Sequence, residues 1–321
     1  MDHVARERRT PRRVWAILAI AAVTLVAMTA ASAASPTKVL DDPKVDEVGV
    51  AVSVDYFAWS SNSETRPDRW NTYVRPIGGG PATRVNPKGT QSDNLGIDGS
   101  TVVFQVYNGH DDNLQMYDAA TQTHSGLPKI NTRLHEYQPW LSGNWLLFTR
   151  SSDEWSKVIL FNLSTGERRV LRQAPLPSAY LRGNQVNGDW ATFDRCRDLF
   201  ASGGTYSNCN VFRYQISTGE LVKIPNPGLQ QWASSVSQDG TVYFTKSRKA
   251  DGWVCGRRAR IIRYPVGGPG VRIATLRAGF EPVLNRATDE NDGSTTLYFV
   301  RTKCSSFSNG IYSIANADTA T

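Results

Sequence analysis

A repeat of about 50 residues constrains this chain more than any other feature of its sequence. Six segments share one order: a polar turn, an apolar strand with an aromatic residue, a variable loop, a second strand, a Gly or Asn turn, and a short basic strand. The aromatic residues are 47, 44, 45, 51 and 55 residues apart, at Phe57, Phe104, Phe148, Phe193, Phe244 and Phe299. Because Gly and Asn tolerate positive φ, the turns between strands read as hairpins. Each unit is therefore an antiparallel meander.

Four short strands in units of this length are typical of the blades of a β-propeller. No long stretch of the sequence has helical periodicity without a Gly or Pro that would interrupt it. We therefore predict an all-β, six-bladed β-propeller with four-stranded antiparallel blades, forming a single domain over residues 34–321. The predicted blades cover residues 45–86, 93–128, 137–172, 182–225, 232–275 and 281–317.

The last unit ends just after its third strand, so its outer strand has to come from elsewhere. Residues 36–40 read Pro-Thr-Lys-Val-Leu and resemble Pro-Ala-Thr-Arg-Val at residues 81–85, which belong to an outer strand of the first unit. We predict that Thr37–Leu40 completes the last blade. Closing the ring in this way removes the unpaired strand edges that an open array would expose.

The N-terminus has the pattern of an export signal. Basic residues up to Arg13 precede the apolar run Ala16–Ala30, and small residues at Ala31 and Ala33 suit a signal peptidase. Residues 1–33 are predicted to be a signal peptide cleaved near Ala33, which makes the protein secreted or extracytoplasmic, in the cell envelope. The alternative is an uncleaved anchor over residues 14–34, in which case the chain is membrane-bound and resembles a sensor ectodomain.

Charge and composition exclude several classes of protein. With 40% hydrophobic and 20% charged residues, the chain is neither wholly disordered nor a polytopic membrane protein. Residues 1–33 contribute +3 of the formal net charge of +7, which leaves +4 over the other 288 residues. That excess is too small to predict a nucleic-acid partner.

The four cysteines all follow the export signal, and an even number in an exported chain favours two disulfides. On the blade map Cys196 and Cys209 flank one loop of blade four, so we predict a bond that clamps this hairpin. Cys255 and Cys304 fall in corresponding loops of blades five and six, so a second bond is predicted between them. The spacing does not fit a zinc site.

The repeat resembles the TolB-like (WD40-like) propeller family. The segments that carry the resemblance are Ser237–Phe244, with its Asp-Gly turn before an aromatic strand, and Lys157–Leu171, with its Ile-Leu-Phe and Arg-Val-Leu strands. The resemblance covers roughly residues 36–317 and corresponds to the propeller domain alone. It implies the six-bladed fold, without the α/β domain that precedes the propeller in TolB and without the hydrolase domain of prolyl-oligopeptidase-like enzymes.

Propellers usually bind ligands where the innermost strands converge at a mouth of the central channel. The residues that enter each inner strand are candidates for such a site, namely Glu47, Asp93, Glu136, Arg182, Gln231 and Glu281. Several carboxylates at one opening could bind a basic group or a cation. No cofactor is otherwise predicted, and calcium is the one ion that these side chains suggest. The alternative is that they are solvated loop residues.

A second candidate is a basic hairpin in blade five, which could hold an anionic polymer such as an envelope polysaccharide. Its residues are Lys246, Arg248, Lys249, Trp253, Arg257, Arg258 and Arg260. The alternative is an ordinary solvated hairpin.

The sequence contains no catalytic signature: the Gly-x-Ser-x-Gly elbow, the His-Glu-x-x-His motif and the phosphate-binding loop are all absent. We therefore predict a monomeric, non-enzymatic scaffold that binds a protein or an envelope ligand. The alternative is a carbohydrate-active lyase or hydrolase with carboxylates at the channel mouth.

Overall fold

The computed structural model describes residues 35–40, 45–63, 66–107, 109–197, 207–225, 229–248, 259–276, 280–289, 295–303 and 308–320. The regular elements of these ranges are all β-strands. None of the described residues forms a helix long and apolar enough to cross a membrane. The predicted signal peptide, residues 1–33, lies outside the described residues, so its cleavage and the alternative of an anchor stay predictions.

Within the described ranges, the strands run in chain order as β1 (Thr37–Leu40), β2 (Glu47–Val52), β3 (Tyr56–Ser63), β4 (Arg66–Pro76), β5 (Thr83–Arg84), β6 (Leu95–Asp98), β7 (Thr101–Tyr107), β8 (Asp112–Asp118), β9 (Thr123–Gly126), β10 (His135–Ser142), β11 (Trp145–Ser151), β12 (Trp155–Asn162), β13 (Arg168–Pro175), β14 (Ala179–Asn187), β15 (Trp190–Arg197), β16 (Ser207–Gln215), β17 (Leu221–Lys223), β18 (Leu229–Val236), β19 (Val242–Arg248), β20 (Ala259–Tyr264), β21 (Val271–Leu276), β22 (Phe280–Asp289), β23 (Thr295–Lys303) and β24 (Ser308–Ile314).

The described strands form six four-stranded antiparallel sheets, which are the blades of a propeller. Blades one to five are consecutive meanders, β2-β3-β4-β5, β6-β7-β8-β9, β10-β11-β12-β13, β14-β15-β16-β17 and β18-β19-β20-β21. Blade six has the order β22-β23-β24-β1. The first strand of each blade lies innermost, around the channel, and the predicted six-bladed fold is confirmed.

The N-terminal strand closes the ring as the sequence predicted. β1 pairs antiparallel with β24, with Thr37 opposite Ser313 and Leu40 opposite Ile311. The apolar side chains of β1 pack into the cluster that joins blade six to blade one. A backbone N–H of Asn309 also donates to Asp46 Oδ1 over 3.1 Å, which adds a polar contact across the same joint.

The hydrophobic core lies between the blades. The six aromatic residues that define the repeat, Phe57 to Phe299, are each at most 3% exposed. In blade four, Phe193 stacks on Phe212 with ring centroids 5.0 Å apart, and both pack in one cluster with Val158 and Leu160 of blade three. Each blade therefore buries its faces against its two neighbours, which holds the inner strands in a ring.

In blades two, three and four the turns between first and second strands are tight hairpins of one conformation. Gly99, Gly143 and Gly188 occupy equivalent places in blades two, three and four, with φ of 53°, 54° and 55°. Only glycine adopts this left-handed conformation at little cost. The Asp-Gly, Ser-Gly and Asn-Gly pairs of the sequence thus bring short, similar turns to one mouth of the channel.

Candidate functional site

A cavity of about 310 Å³ lies at the mouth where the inner strands end. Its lining comes from the ends of inner strands and the turns that follow them, in five blades: Val52, Ser53, Val54, Asp55, Ile97, Asp98, Gly99, Trp140, Leu141, Ser142, Gln185, Val186, Asn187 and Gln238. Sites for small ligands occupy about 300–1,000 Å³, so this cavity is large enough for one side chain or one sugar ring.

The wall of this cavity is held by hydrogen bonds from each turn to the turn of the next blade. These bonds run from Ser53 Oγ to Gly99 O (2.7 Å), from Gly143 N to Asp98 Oδ2 (2.6 Å), from Gly188 N to Ser142 Oγ (3.0 Å) and from Asn187 Nδ2 to Val236 O (3.2 Å). Together they join blades one to five in sequence. The polar groups of the mouth are therefore fixed before any ligand arrives.

The ionisable side chains that line the cavity are both carboxylates, those of Asp55 and Asp98. Both residues are exposed, and neither forms an ion pair with another residue that the structure describes. Asp98 uses one oxygen to accept the Gly143 N–H, which keeps its carboxylate beside the cavity. The mouth therefore carries negative charge and favours a cationic group.

Exposed aliphatic side chains border the acidic part of this mouth. Val54 is 49% exposed and Ile77, in the turn after β4, is 50% exposed. A hydrogen bond from Ile77 N to Asp55 O, 2.8 Å long, holds that turn against the cavity wall. Apolar contact area and a carboxylate are thus available side by side.

The residues that the sequence singled out lie at the opposite mouth, because they start the inner strands rather than end them. Glu47 is the first residue of β2, Glu136 and Gln231 lie near the starts of β10 and β18, and Arg182 lies further along, in the first half of β14. Asp93 precedes β6. The side chain of Glu281, on β22, lies outside the described residues.

Several of these side chains have protein partners. Glu136, fully buried, accepts Arg150 Nε and Thr132 Oγ1, each over 2.7 Å. Arg182 Nη2 donates to Asp194 Oδ2 over 2.9 Å. Gln231, also buried, donates to Pro225 O over 2.8 Å. These contacts give the three side chains a part in the fold, and their binding of a ligand stays a prediction.

Asp93 belongs to a chain of polar side chains at this second mouth. Asp93 Oδ1 accepts Asn94 Nδ2 (2.8 Å), Asn94 also donates to Gln105 Oε1 (2.8 Å), and Gln105 donates to Asp112 Oδ1 (2.7 Å). The other oxygen of Asp112 lies 3.0 Å from Nδ1 of His135, whose side chain is 43% exposed. Burial, and then the neighbouring carboxylate of Asp112, raises the pKa of Asp93.

The raised pKa of Asp93 has a consequence for stability that Asp93→Asn should reveal. A carboxyl whose folded pKa exceeds its unfolded value, about 3.9, destabilises the fold as pH rises through that range. We expect the variant to melt a few degrees above the wild type at pH 7 and at the same temperature below about pH 4. Thermal melts across this range measure the difference. Asp153→Asn, on an exposed turn, is the control and should show none. A variant less stable than the wild type at pH 7 would contradict the expectation.

The basic hairpin is described only at its base. Lys246 and Arg260 face each other across β19 and β20, and burial together with Arg260 lowers the pKa of Lys246. The side chains of Arg248, Lys249, Trp253, Arg257 and Arg258 lie outside the described residues. Binding of an anionic polymer by this hairpin therefore stays a prediction.

The first predicted disulfide is present. Cys196 of β15 and Cys209 of β16 are bonded and almost fully buried, so the bond clamps the second and third strands of blade four. Cys255 and Cys304 lie outside the described residues, and their pairing stays a prediction.

Five of the six inner strands share a feature that the sequence did not reveal, and β6 of blade two lacks it. A β-bulge interrupts the pairing of the first and second strands near Gly49, Gln138, Asn184, Ala233 and Asn285. At Asn184 the side-chain amide donates to Ser234 Oγ over 2.8 Å, which links blades four and five beside the channel. The spacing from the bulge to the strand aromatic varies from 8 to 14 residues, so no periodic signal marks it.

The described residues hold no group of three or more His, Cys, Asp or Glu side chains arranged to bind a metal ion. Glu281 is outside that set, so calcium at the second mouth stays a prediction.

Comparison with known proteins supports the fold. No family model matches the chain, and no curated protein matches its sequence. The structure of putative TolB from Agrobacterium tumefaciens is similar, with a TM-score of 0.55 and 14% identity over 87% of this chain and 90% of that one. The β-propeller domain of the Trilobed protease from Pyrococcus furiosus has a TM-score of 0.50 and 8% identity over 84% and 95%. The tricorn protease also reaches 0.50, with 10% identity over 86% of this chain but 31% of its own. At these identities the similarity shows a TolB-like propeller fold and nothing finer.

Proposed function

We propose that this chain is a non-enzymatic binding protein of the cell envelope that holds a basic segment of a partner protein at the cavity mouth. The observation that carries the proposal is the cavity itself, whose charged side chains are Asp55 and Asp98 and whose remaining lining is neutral. Carboxylates, amides and hydroxyls in one opening recognise donors such as an ammonium or guanidinium group.

A protein ligand suits this mouth better than a sugar because of what surrounds the carboxylates. Val54 and Ile77 are each about half exposed and offer aliphatic contact area, whereas Trp140, the aromatic side chain of the lining, is 3% exposed and presents little of its ring for a sugar to stack on. A segment with a lysine or arginine between apolar residues would place its charge in the cavity and its flanks on these side chains. Such pairing of an apolar anchor with a charged centre is common at protein interfaces.

The stiffness of the mouth supports recognition. Hydrogen bonds between turns of successive blades fix Ser53, Asp98 and Ser142 in place. A preorganised site loses little conformational entropy when the ligand binds, so a modest contact area can still give useful affinity.

The envelope location rests on the predicted export signal and on the disulfide. A buried Cys196–Cys209 bond persists in an oxidising compartment, which supports a place outside the cytoplasm.

A second candidate function, that of a carbohydrate-active enzyme, is supported by residues at the other mouth. His135, oriented by Asp112 and partly exposed, lies in the same polar chain as Asp93, whose pKa is raised. A histidine oriented by a carboxylate, in one polar chain with an acid whose pKa is raised, offers the two groups that general acid–base catalysis of glycoside cleavage requires. If the protein acts on a carbohydrate, we therefore expect the reaction to take place at the second mouth.

A titration with short peptides tests the proposed function. Capped tripeptides with a central lysine between leucines should bind in calorimetry, and the same peptides with a central acetyl-lysine should bind at least tenfold more weakly. Asp55→Asn and Asp98→Asn should each weaken binding about fivefold, because each removes one charge from a largely solvated pair. Asn at position 98 still accepts the Gly143 N–H, so the turn is preserved.

Asp153→Asn, on an exposed turn between β11 and β12, is the control and should bind like the wild type. Equal binding of the lysine and acetyl-lysine peptides would refute the proposal. Cleavage of acidic oligosaccharides that disappears in His135→Gln would support the second candidate instead.

A further inference from the structure

The outer strand of blade three is longer than the outer strand of any other blade that the structure describes. β13 has eight residues, Arg168–Pro175, whereas β1, β5, β9, β17 and β21 have between two and six. It stands at the end of its sheet, with β12 as its neighbour on one side. We call the other side the β13 edge. Proteins usually keep exposed strand edges short, because such an edge can pair with another extended chain.

The hydrogen bonds at the two ends of the β12–β13 ladder show which main-chain groups face outward. Asn162 N donates to Glu167 O over 2.8 Å, and Leu176 N donates to Glu154 O over 2.7 Å. In an antiparallel ladder, pairs that exchange hydrogen bonds alternate with pairs whose N–H and C=O groups point away from the partner strand. The observed register, with its bulge at Leu171, therefore gives three residues with outward main-chain groups: Arg168, Val170 and Gln173.

The side chains beside these groups make the β13 edge basic. Arg168 and Arg172 are exposed, and neither forms an ion pair with another residue in the described part of the chain. Glu167, which precedes the strand, is bound by Arg169 Nε over 2.6 Å. Lys157, on the neighbouring strand β12, adds a further positive charge. The edge therefore attracts a chain that carries carboxylates.

These charges also select among the chains that could pair with the edge. Three of the eight residues of β13 are arginines, so pairing of two copies would gather six guanidinium groups along one ladder. Like charges on neighbouring strands destabilise a sheet, whereas opposite charges stabilise it. Val170, which is 47% exposed, offers an apolar contact between Arg168 and Arg172. The edge thus disfavours self-association and favours an acidic strand with apolar residues at alternate positions.

We propose that the β13 edge binds an extended acidic segment of a partner protein, which adds a fifth strand to blade three. Main-chain hydrogen bonds to the outward groups provide the pairing, and carboxylates beside the arginines provide the selectivity. The edge shares no residue with the cavity, whose lining comes from the ends of inner strands and the turns that follow them. This interaction is therefore additional to the function proposed above and does not depend on it.

Fluorescence anisotropy with labelled peptides tests the proposal. A capped octapeptide of alternating glutamate and valine should bind the wild type with saturation. The same peptide with glutamine in place of every glutamate keeps the shape and the main-chain groups but loses the charges, so it should bind at least tenfold more weakly.

Val170→Pro tests whether the main chain takes part. The N–H of Val170 faces outward, so proline removes a donor from the edge without removing a hydrogen bond to β12. We expect the variant to melt within a few degrees of the wild type and to bind the glutamate peptide at least tenfold more weakly.

Arg168→Glu and Arg172→Glu test the charges, since both variants keep every main-chain group. Each should weaken binding of the glutamate peptide about fivefold, because each reverses one exposed charge. Arg272→Glu, at an exposed position of the outer strand β21, is the matched control and should bind like the wild type.

Equal binding of the glutamate and glutamine peptides would overturn the proposal, and so would full binding by both arginine variants. Unchanged binding by a folded Val170→Pro would mean charge attraction without strand pairing and would overturn it as well. Dimerisation of the wild type in sedimentation velocity that Val170→Pro abolishes would assign the edge to a second copy of the chain instead. The cavity is tested with peptides of the opposite charge, so failure of one proposal leaves the other intact.

Discussion

Replacing Asp194 by alanine should destabilise the fold by about 3–5 kcal/mol, the largest loss that we expect from any single polar side chain described here. Asp194 is fully buried, and its carboxylate accepts Arg182 Nη2 (2.9 Å), Ala233 N (2.6 Å) and Ser234 Oγ (3.3 Å). It thus joins two strands of blade four to the inner strand of blade five. Alanine removes one acceptor from the largely buried guanidinium of Arg182 and leaves the buried N–H of Ala233 without this carboxylate, which costs more than the carboxylate contributed alone.

Urea or guanidinium unfolding measures this loss. Asp194→Asn keeps the shape and one acceptor, so its loss should be smaller than that of alanine. Asp153→Ala, on an exposed turn, should change the free energy of unfolding by less than about 0.5 kcal/mol. If Asp194→Ala lost less than about 1 kcal/mol with an unchanged denaturant slope, the contact between blades four and five would not depend on this carboxylate.

Gly96→Ala should cost about 2–3 kcal/mol and disturb the cavity at the same time. A Cβ atom on Gly96 would lie 2.8 Å from the Cα and the Cε3 of Trp140 and 2.9 Å from Pro139 O. Two of these atoms are backbone, so β6 and β10 have to move apart where the inner strands converge. Trp140 lines the cavity, and its displacement should weaken binding of the lysine peptides.

The matched control for this substitution is Gly126→Ala on the outer strand β9, where a Cβ would meet nothing within 4 Å. At such a position alanine restricts the unfolded chain, so the variant should be as stable as the wild type or up to about 1 kcal/mol more stable. Equal stabilities of Gly96→Ala and Gly126→Ala would mean that the inner strands tolerate spreading. A destabilised Gly96→Ala with unchanged peptide affinity would place the ligand elsewhere.

The sequence predicted the architecture because one periodic requirement recurs in every blade. A buried aromatic such as Phe104 or Phe193 has to appear once in each second strand, and a tight turn has to precede it, which contains a glycine in blades two to five. The similarity of Thr37–Leu40 to the outer strand of the first unit also sufficed to predict ring closure, because strand edges must pair.

The cavity could not be predicted in the same way. Asp55 and Asp98 belong to turns that look like any other hairpin turn, and nothing local shows that turns about 45 residues apart meet at one opening. The sequence analysis predicted a site at the other mouth instead, because carboxylates such as Glu136 lie a similar number of residues before the aromatic residue of several blades. Its partner Arg150 lies directly opposite in the β10–β11 register, so the pairing becomes evident only once that register, with its bulge, is known.

The sharing of blade six between the two ends of the chain governs when the ring can be completed. The outer neighbour of β24 is β1, which lies more than 270 residues earlier in the chain. Pairing over such a separation has a high entropic cost and comes late in folding. β1 cannot form its pairing with β24 until β24 has been made, and the same joint is the place where a mechanical pull on the N-terminal segment would first open the ring.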